Sequence, residues 1–273
     1  MINKKNTAIV IASAGNFNYL HKCLKAIFKQ TSVPNQIILV LPKEKKFKKD
    51  YKKLKVLYSD KKNQVHQRNL GISKLSKFTR ILIQLDERVI LRKNSIEKLI
   101  ECWNMNVGKN VLGIGFNQLV NKNQNSFNGS TISKILINKK GSVLKTGMNI
   151  GYENLKKDLK VSWIKGGLAS YDITKSKKIF NRSFPLLSWS VCEDLIFSYD
   201  LQKKGNLLIC AKAKAILLKK KIDKRIINNF IFGTLYSHNF KFFVKKNKEL
   251  STIFFYLMIK LLFLYNLIQG IFK

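Results

Sequence analysis

Acidic residues are scarce in this chain: 15 Asp and Glu stand against 52 Lys and Arg in 273 residues, a formal charge of +37. Arginine is scarce too, with only six (Arg68, Arg80, Arg88, Arg92, Arg182, Arg225), so nearly all of the positive charge is lysine. Clustered cations neutralise phosphates and point first to nucleic acid. Groove and phosphate reading, however, favours the bidentate guanidinium fork, and here that group is rare. Lysine abounds together with Ile and Asn, as A/T-rich coding would produce, so much of the excess reads as solvated surface. The remaining expectation is a positive field that attracts nucleotide-linked or lipid-linked anions, with no nucleic acid partner.

Several motifs are absent. The four cysteines (Cys23, Cys102, Cys192, Cys210) form no C-x-x-C pair and have no His at ligand spacing, which argues against a zinc site or a disulfide framework and suits a reducing cytoplasm. Residues Met1 to Asn6 lack the apolar stretch and small-residue cleavage site of a secretory signal, so the reading is a chain that stays inside the cell. Ala12-Ser13-Ala14-Gly15-Asn16 is not the G-x-G-x-x-G of a dinucleotide fold, and neither a Walker A sequence, a nucleophile elbow nor an internal repeat is found. Because 45 % of the residues are hydrophobic and 11 % aromatic, the chain can bury a core and is not a disordered basic tail.

What is present alternates between strand and helix. Thr7 to Ser13 is a β-branched apolar run, broken by Ala14-Gly15-Asn16 before helical spacing at Leu20, Cys23, Leu24, Ile27 and Phe28. Further strands are expected at Gln36 to Leu41, Lys55 to Tyr58 and Arg80 to Leu85, with a helix from Val65 to Leu75. This order implies parallel βαβ units, whose ligands bind beyond the carboxyl ends of the strands, so the Ser13 loop and Asp86-Glu87 fall on the binding edge. Residues 117–151, rich in Asn, Ser, Gly and Lys, read as a loop or irregular hairpin at the sheet edge. After it come a strand at Val161, the pair Gly166-Gly167, a second strand or turn, a short helix at Ser176 to Phe180 and a helix from about Glu193. Ile253 to Phe272 is almost wholly apolar and follows Lys245-Lys246-Asn247-Lys248. Three readings stay open for it: a transmembrane anchor, an in-plane helix that snorkels Lys260, or a helix packed on the domain.

With so few acids, two adjacent acidic pairs in apolar surroundings stand out: Asp86-Glu87 at a strand end and Glu193-Asp194 at a helix start. Taken alone, the second pair is ordinary decoration of the positive end of a helix dipole. The order of segments adds to this. The opening strand, loop and helix, Gln67-Arg68-Asn69-Leu70-Gly71, Leu85-Asp86-Glu87-Arg88, Trp163-Ile164-Lys165-Gly166-Gly167, and Glu193-Asp194 through Lys204-Gly205 follow one another as in the inverting family 2 glycosyltransferases. Over roughly residues 5–220 the chain resembles that family.

The resemblance implies an α/β GT-A fold, a Rossmann-like, mostly parallel sheet flanked by helices over residues 1–222, with a C-terminal helical, membrane-associating extension over 223–273. It also implies transfer of a sugar, with inversion, from a nucleotide-diphospho-sugar to a glycolipid or polysaccharide precursor of a cell-surface glycan. Asp194 would be the general base and Glu193 its neighbour. Ala12, Ser13, Arg68, Asp86, Glu87, Arg88, Gly166 and Gly167 would bind the nucleotide sugar, and Asp86 would meet Mg²⁺ or Mn²⁺. Two departures weaken a metal site: Arg88 replaces the third acid of the strand-end motif, and Leu217-Leu218-Lys219-Lys220 is basic where relatives often carry a His. Either Asp86, Glu87 and the diphosphate hold the ion, or Arg88 and Lys219 supply the charge instead. His238 is a further candidate. The implied location is cytoplasmic, at the inner face of a membrane whose anionic lipids attract the basic C-terminal region. The rival readings are a noncatalytic basic α/β module that binds nucleic acid or anionic membrane, and a nucleotidyltransferase.

Overall fold

The computed structural model describes residues 1–48, 51–120, 139–175, 192–218, 240–257 and 260. The β-branched and leucine-rich runs form a nine-stranded sheet: β1 (Thr7–Ala12), β2 (Gln36–Pro42), β3 (Leu54–Ser59), β4 (Ile81–Asp86), β5 (Val89–Leu91), β6 (Val111–Leu119), β7 (Leu159–Val161), β8 (Leu168–Asp172) and β9 (Asn206–Leu217). The order is β3-β2-β1-β4-β8-β6-β9-β5, with β7 pairing on β9. The first four strands in this order are parallel, as is β6 with β9, and these ladders carry most of the paired residues. β8 enters antiparallel between β4 and β6.

Alternation along the central strands sends side chains to two cores. Ile9 and Ile11 of β1 join Ile83 and Leu85 of β4 on one face, while Val10 and Leu82 join the other. Helices α1 (Phe17–Phe28) and α3 (Ser95–Met105) cover the first face with Leu20, Leu24, Ile27, Leu99 and Trp103. The second face is covered by α4 (Glu193–Gln202), through Leu195, Ile196 and Leu201, and by the helical residues 240–246, through Phe240 and Phe243. Helix α2 (Gln64–Ser73) packs on β1 and β2, its N-terminus capped by Asn63. The result is a helix–sheet–helix sandwich.

The four parallel strands and the helices after β1 and β3 lie where the hydrophobic pattern predicts them. Residues 117–119 do not form an edge loop, because they end β6, which is held between β8 and β9. Gly113 and Gly115 disguise that strand. A Cβ at Gly115 would stand 2.6 Å from Ile209 Cδ1 and 2.7 Å from Ile164 Cγ2, so the glycines are packing requirements rather than turn signals. The expected helix at Ser176 to Phe180, Lys219, His238 and most of the apolar stretch 253–272 lie outside the described residues. Among the described residues no helix is long and apolar enough to cross a membrane.

Candidate active site

The parallel strands deliver two loops to one edge. The chain leaves β1 at Ala12 and turns through Ser13 to Asn16 into α1, and β4 ends at Asp86. Because β1 and β4 pair in register with Ala12 opposite Asp86, these two turns meet. Ser13 Oγ donates a hydrogen bond to Glu87 Oε2, and the Asn16 N–H donates to the same oxygen at 3.2 Å. Gln67 of α2 closes the back of the loop, its amide donating to the carbonyls of Ser13 at 2.9 Å and Val40 at 3.2 Å. Burial raises the pKa of Glu87 above the ordinary carboxylate value, against the lowering effect of the Ser13 bond.

Asp86 is turned the other way. Its Oδ1 accepts the Arg88 backbone N–H at 3.1 Å, and its Oδ2 accepts Arg88 Nη2 at 3.2 Å. The cation that replaces the expected third acid therefore closes directly onto the first one. These groups line an open cleft of about 710 Å³, together with Lys45 and Lys62. Three cations face two carboxylates there, and the volume lies in the range of small-molecule sites.

A second cluster adjoins it. α4 begins at Glu193, and its first turn directs two carboxylates inward. Glu193 is buried in an ion pair with Arg68 of α2. Burial pushes Glu193 up, further than Arg68 brings it back, while the surrounding carboxylates outweigh desolvation and raise Arg68. Among the described residues, Arg68 Nε is buried without a hydrogen-bond partner. Asp194 Oδ1 accepts the Leu195 N–H at 2.9 Å and Oδ2 the Gly166 N–H at 3.2 Å.

Gly166 and Gly167 join the two clusters. A Cβ on Gly166 would stand 2.7 Å from Glu193 Oε1 and 2.8 Å from Asp194 Cβ, and one on Gly167 would stand 2.7 Å from Asp86 Cβ. The Gly167 carbonyl also accepts the Asp86 N–H at 3.0 Å. Only residues without a side chain fit between the two acids. The bridge is held from behind by Tyr152, whose hydroxyl accepts the Lys165 N–H at 2.7 Å, and by Ser198, whose hydroxyl accepts the Ile164 N–H at 3.1 Å.

Of the residues singled out in the sequence, Ala12, Ser13, Asp86, Glu87 and Arg88 share the cleft, and Gly166, Gly167, Glu193, Asp194 and Arg68 form the adjoining cluster. Arg68 braces α4 and does not line the cleft. His66 has an acid partner that the sequence did not reveal, Asp60 Oδ1 at 3.2 Å. Lys45, Lys62 and Gln67 escaped notice in the sequence. Two more lysines among so many carry no signal, although Gln67 precedes Arg68 in a segment already marked.

No protein-family model and no curated protein matches the sequence. Solved structures do match in fold. GalNAc-T7, in a crystal structure with UDP, GalNAc and Mn²⁺, superposes with a TM-score of 0.59 at 14 % identity, over 79 % of this chain and 44 % of that one. The mannosyltransferase PcManGT of Pyrobaculum calidifontis, in complex with GDP-Man and Mn²⁺, superposes with a TM-score of 0.56 at 9 % identity, over 88 % of this chain and 63 % of that one. The chain thus spans less than two thirds of either neighbour. Its fold is that of the GT-A glycosyltransferases, an α/β sheet flanked by helices.

Proposed function

We propose that the protein is a glycosyltransferase that moves a sugar, with inversion, from a nucleotide-diphospho-sugar to a glycolipid or polysaccharide precursor. The observation that carries this reading is the glycine bridge. It sets Asp86, at the cation-lined cleft, and Asp194, at the start of α4, on either side of two consecutive residues that lack side chains. A donor in the cleft would put its diphosphate beside Arg88, Lys45 and Lys62. Its anomeric carbon would reach the bridge, where Asp194 would take the proton from an attacking hydroxyl. Glu193, neutralised by Arg68, holds the helix rather than the proton. One structural neighbour is solved with UDP and GalNAc and the other with GDP-Man, which supports the donor class.

The acids at the cleft fit an oxygen-ligated divalent ion of the Mg²⁺ or Mn²⁺ type, which commonly takes one or two protein carboxylates and completes its shell with substrate phosphate and water. Asp86 would hold it, since Glu87 is committed to Ser13 and Asn16. When bound, such an ion screens the charge on the departing diphosphate. Arg88 shares that task, so the requirement for metal is weak.

The acceptor side is proposed to lie at the cytoplasmic face of a membrane. Ile253, Phe254 and Leu257 are exposed apolar residues that follow Lys245 and Lys248. That combination suits an anionic lipid surface.

A panel of nucleotide-diphospho-sugars, read by thermal shift and by donor hydrolysis with and without Mn²⁺, tests the reading. One donor should stabilise the protein saturably and be turned over, giving a product of opposite anomeric configuration. Failure of every donor, together with steep salt-dependent binding of nucleic acid, would instead favour a noncatalytic basic module.

A further inference from the structure

Away from the cleft, the fold brings together two thiols and a carboxylate that sequence spacing kept apart. Cys102 of α3, Cys210 of β9 and Asp158 each offer a ligand atom, and all three atoms lie within 4.8 Å of one another. Register makes the arrangement. β7 runs antiparallel on β9 with Leu159 opposite Ile209, which carries Asp158 alongside Cys210. α3 packs over the same strand and supplies Cys102.

The surroundings are built around these atoms. The β6–β9 ladder passes from Phe116–Cys210 directly to Asn117–Lys214, a bulge that begins just after Cys210. Bulges re-aim side chains and release backbone groups from the ladder. Here the freed Ala211 N–H donates to Asp158 Oδ1 at 2.8 Å, and the Ala211 carbonyl accepts from the Asn117 amide at 2.9 Å. With Oδ1 fixed, Asp158 turns Oδ2 toward Cys102 Sγ at 3.7 Å. Two donor atoms of one tetrahedral ion, each a little over 2 Å from it, are themselves separated by about 3.5 to 3.8 Å. Both cysteines are buried and Asp158 is exposed, so one side of the cluster faces solvent and leaves room for a water as fourth ligand.

We propose that Cys102, Asp158 and Cys210 bind one thiophilic divalent cation of the Zn²⁺ class, separate from any ion at Asp86, and that this ion clasps α3 and the segment before β7 to β9. The donor set gives the class. Two thiolates select a borderline-soft ion over Mg²⁺ or Mn²⁺, which prefer all-oxygen sites. A disulfide between the two thiols would take from Asp158 Oδ2 the thiol it faces, whereas a cation uses all three groups. On binding, the two thiols lose their protons to solvent and become the thiolate ligands, so the site closes with one negative charge to spare. This proposal is independent of the donor reading.

The test uses the full chain, reduced and stripped with a chelator. Titration with Co²⁺ should give thiolate charge-transfer absorption that saturates at one equivalent and is displaced by Zn²⁺. Zn²⁺ at a hundredfold excess over its Kd should raise Tm by about 5 °C or more. Asp158→Asn keeps the oxygen that accepts from Ala211, and it should weaken binding at least tenfold while retaining the metal-free Tm. Cys210→Ser should abolish the absorption, and Cys23→Ala should leave it unchanged. Should the cysteine variants fail to fold, alkylation of the wild-type protein gives the answer: Zn²⁺ should protect Cys102 and Cys210 together. Absence of the absorption from reduced, folded protein, its survival in Cys210→Ser, or equal alkylation with and without Zn²⁺ would each overturn the proposal. So would a Cys102–Cys210 disulfide in the isolated protein combined with no Co²⁺ binding after reduction.

Discussion

Replacing Arg68 with Met would leave the Glu193 carboxylate buried without its counter-ion. The two side chains are only 8 % and 10 % exposed, so water does little to compensate. Breaking one side of such a pair costs about 3 to 5 kcal/mol, most of it the penalty of an unpaired buried charge. For a chain of this size the loss corresponds to a fall in Tm of about 10 °C. Protonation limits the damage. Glu193 already sits above the ordinary carboxylate range, and without Arg68 it moves higher, so the loss should shrink when unfolding is followed at pH 5 instead of pH 7. Removing both charges, as in Arg68→Met with Glu193→Leu, should bring stability back to within about 1.5 kcal/mol of wild type, because an apolar pair of similar volume fills the space without desolvating a charge. Urea unfolding of the four proteins in the cycle measures the coupling directly. A single variant within about 1 kcal/mol of wild type, or a double variant no better than the single, would refute the claim that this pair anchors α4.

Four further outcomes are expected. Asp194→Asn should lower turnover by on the order of a hundredfold while donor affinity, read by thermal shift, stays nearly constant; near-normal turnover would remove it as the base. Gly167→Ala should cost about 1 to 3 kcal/mol in urea unfolding, since its Cβ would press on Asp86 at 2.7 Å, and turnover should fall more than stability does. Burial raises the Glu87 pKa from 4.5, so the folded state holds this proton more tightly than the unfolded state does. Glu87 therefore favours folding below pH 4.5, and its contribution is lost as pH rises through the folded pKa; Glu87→Gln should gain stability relative to wild type between pH 4 and 7, and a constant difference would count against the shift. Chelation should slow transfer without abolishing it, and an unchanged rate would show that Arg88 and the lysines suffice.

The parallel half of the sheet was readable from sequence because its central strands are short apolar runs bounded by a turn or a charged residue, as at Ile37 to Leu41 and Ile81 to Leu85. The mixed half was readable only in part: β7 and β8 lie at Val161 and after Gly166-Gly167 as expected, but β6 and β9 were missed. β6 contains two glycines that give way to neighbouring side chains, and β9 alternates buried alanines with Lys212 and Lys214, so both resemble polar connections. The site shows the same division. Adjacent acids in an acid-poor chain marked Asp86-Glu87 and Glu193-Asp194. The partners that tune them come from elements distant in sequence, Arg68 on Glu193 and Ser13 on Glu87, and only the assembled sheet edge reveals them. The Cys102, Asp158 and Cys210 cluster is a more extreme case, since its members come from a helix, a strand end and a bulged strand.

The large excess of cations sharpens the role proposed for Asp194. In such a chain a carboxylate finds a basic partner easily, and many do: Asp86 with Arg88, Glu153 with Lys165, Asp172 with Arg80, Glu193 with Arg68, Asp200 with Lys246. Among the described residues, Asp194 meets no such cation and is held by two backbone N–H groups, those of Gly166 and Leu195. An ion-paired carboxylate is a weaker base, because the neighbouring charge stabilises its ionised form. Arg68 is near enough to act as that partner, yet its guanidinium is committed to Glu193, one residue earlier on the same helical turn. Glu193 thus occupies the cation and, on the proposed mechanism, leaves the Asp194 oxygens to accept a proton. This makes a distinct prediction for Glu193→Gln: freed from its pair, Arg68 should turn to Asp194, and kcat should fall while donor affinity, read by thermal shift, stays nearly constant. A kcat equal to that of wild type would show that Glu193 acts only as a structural anchor.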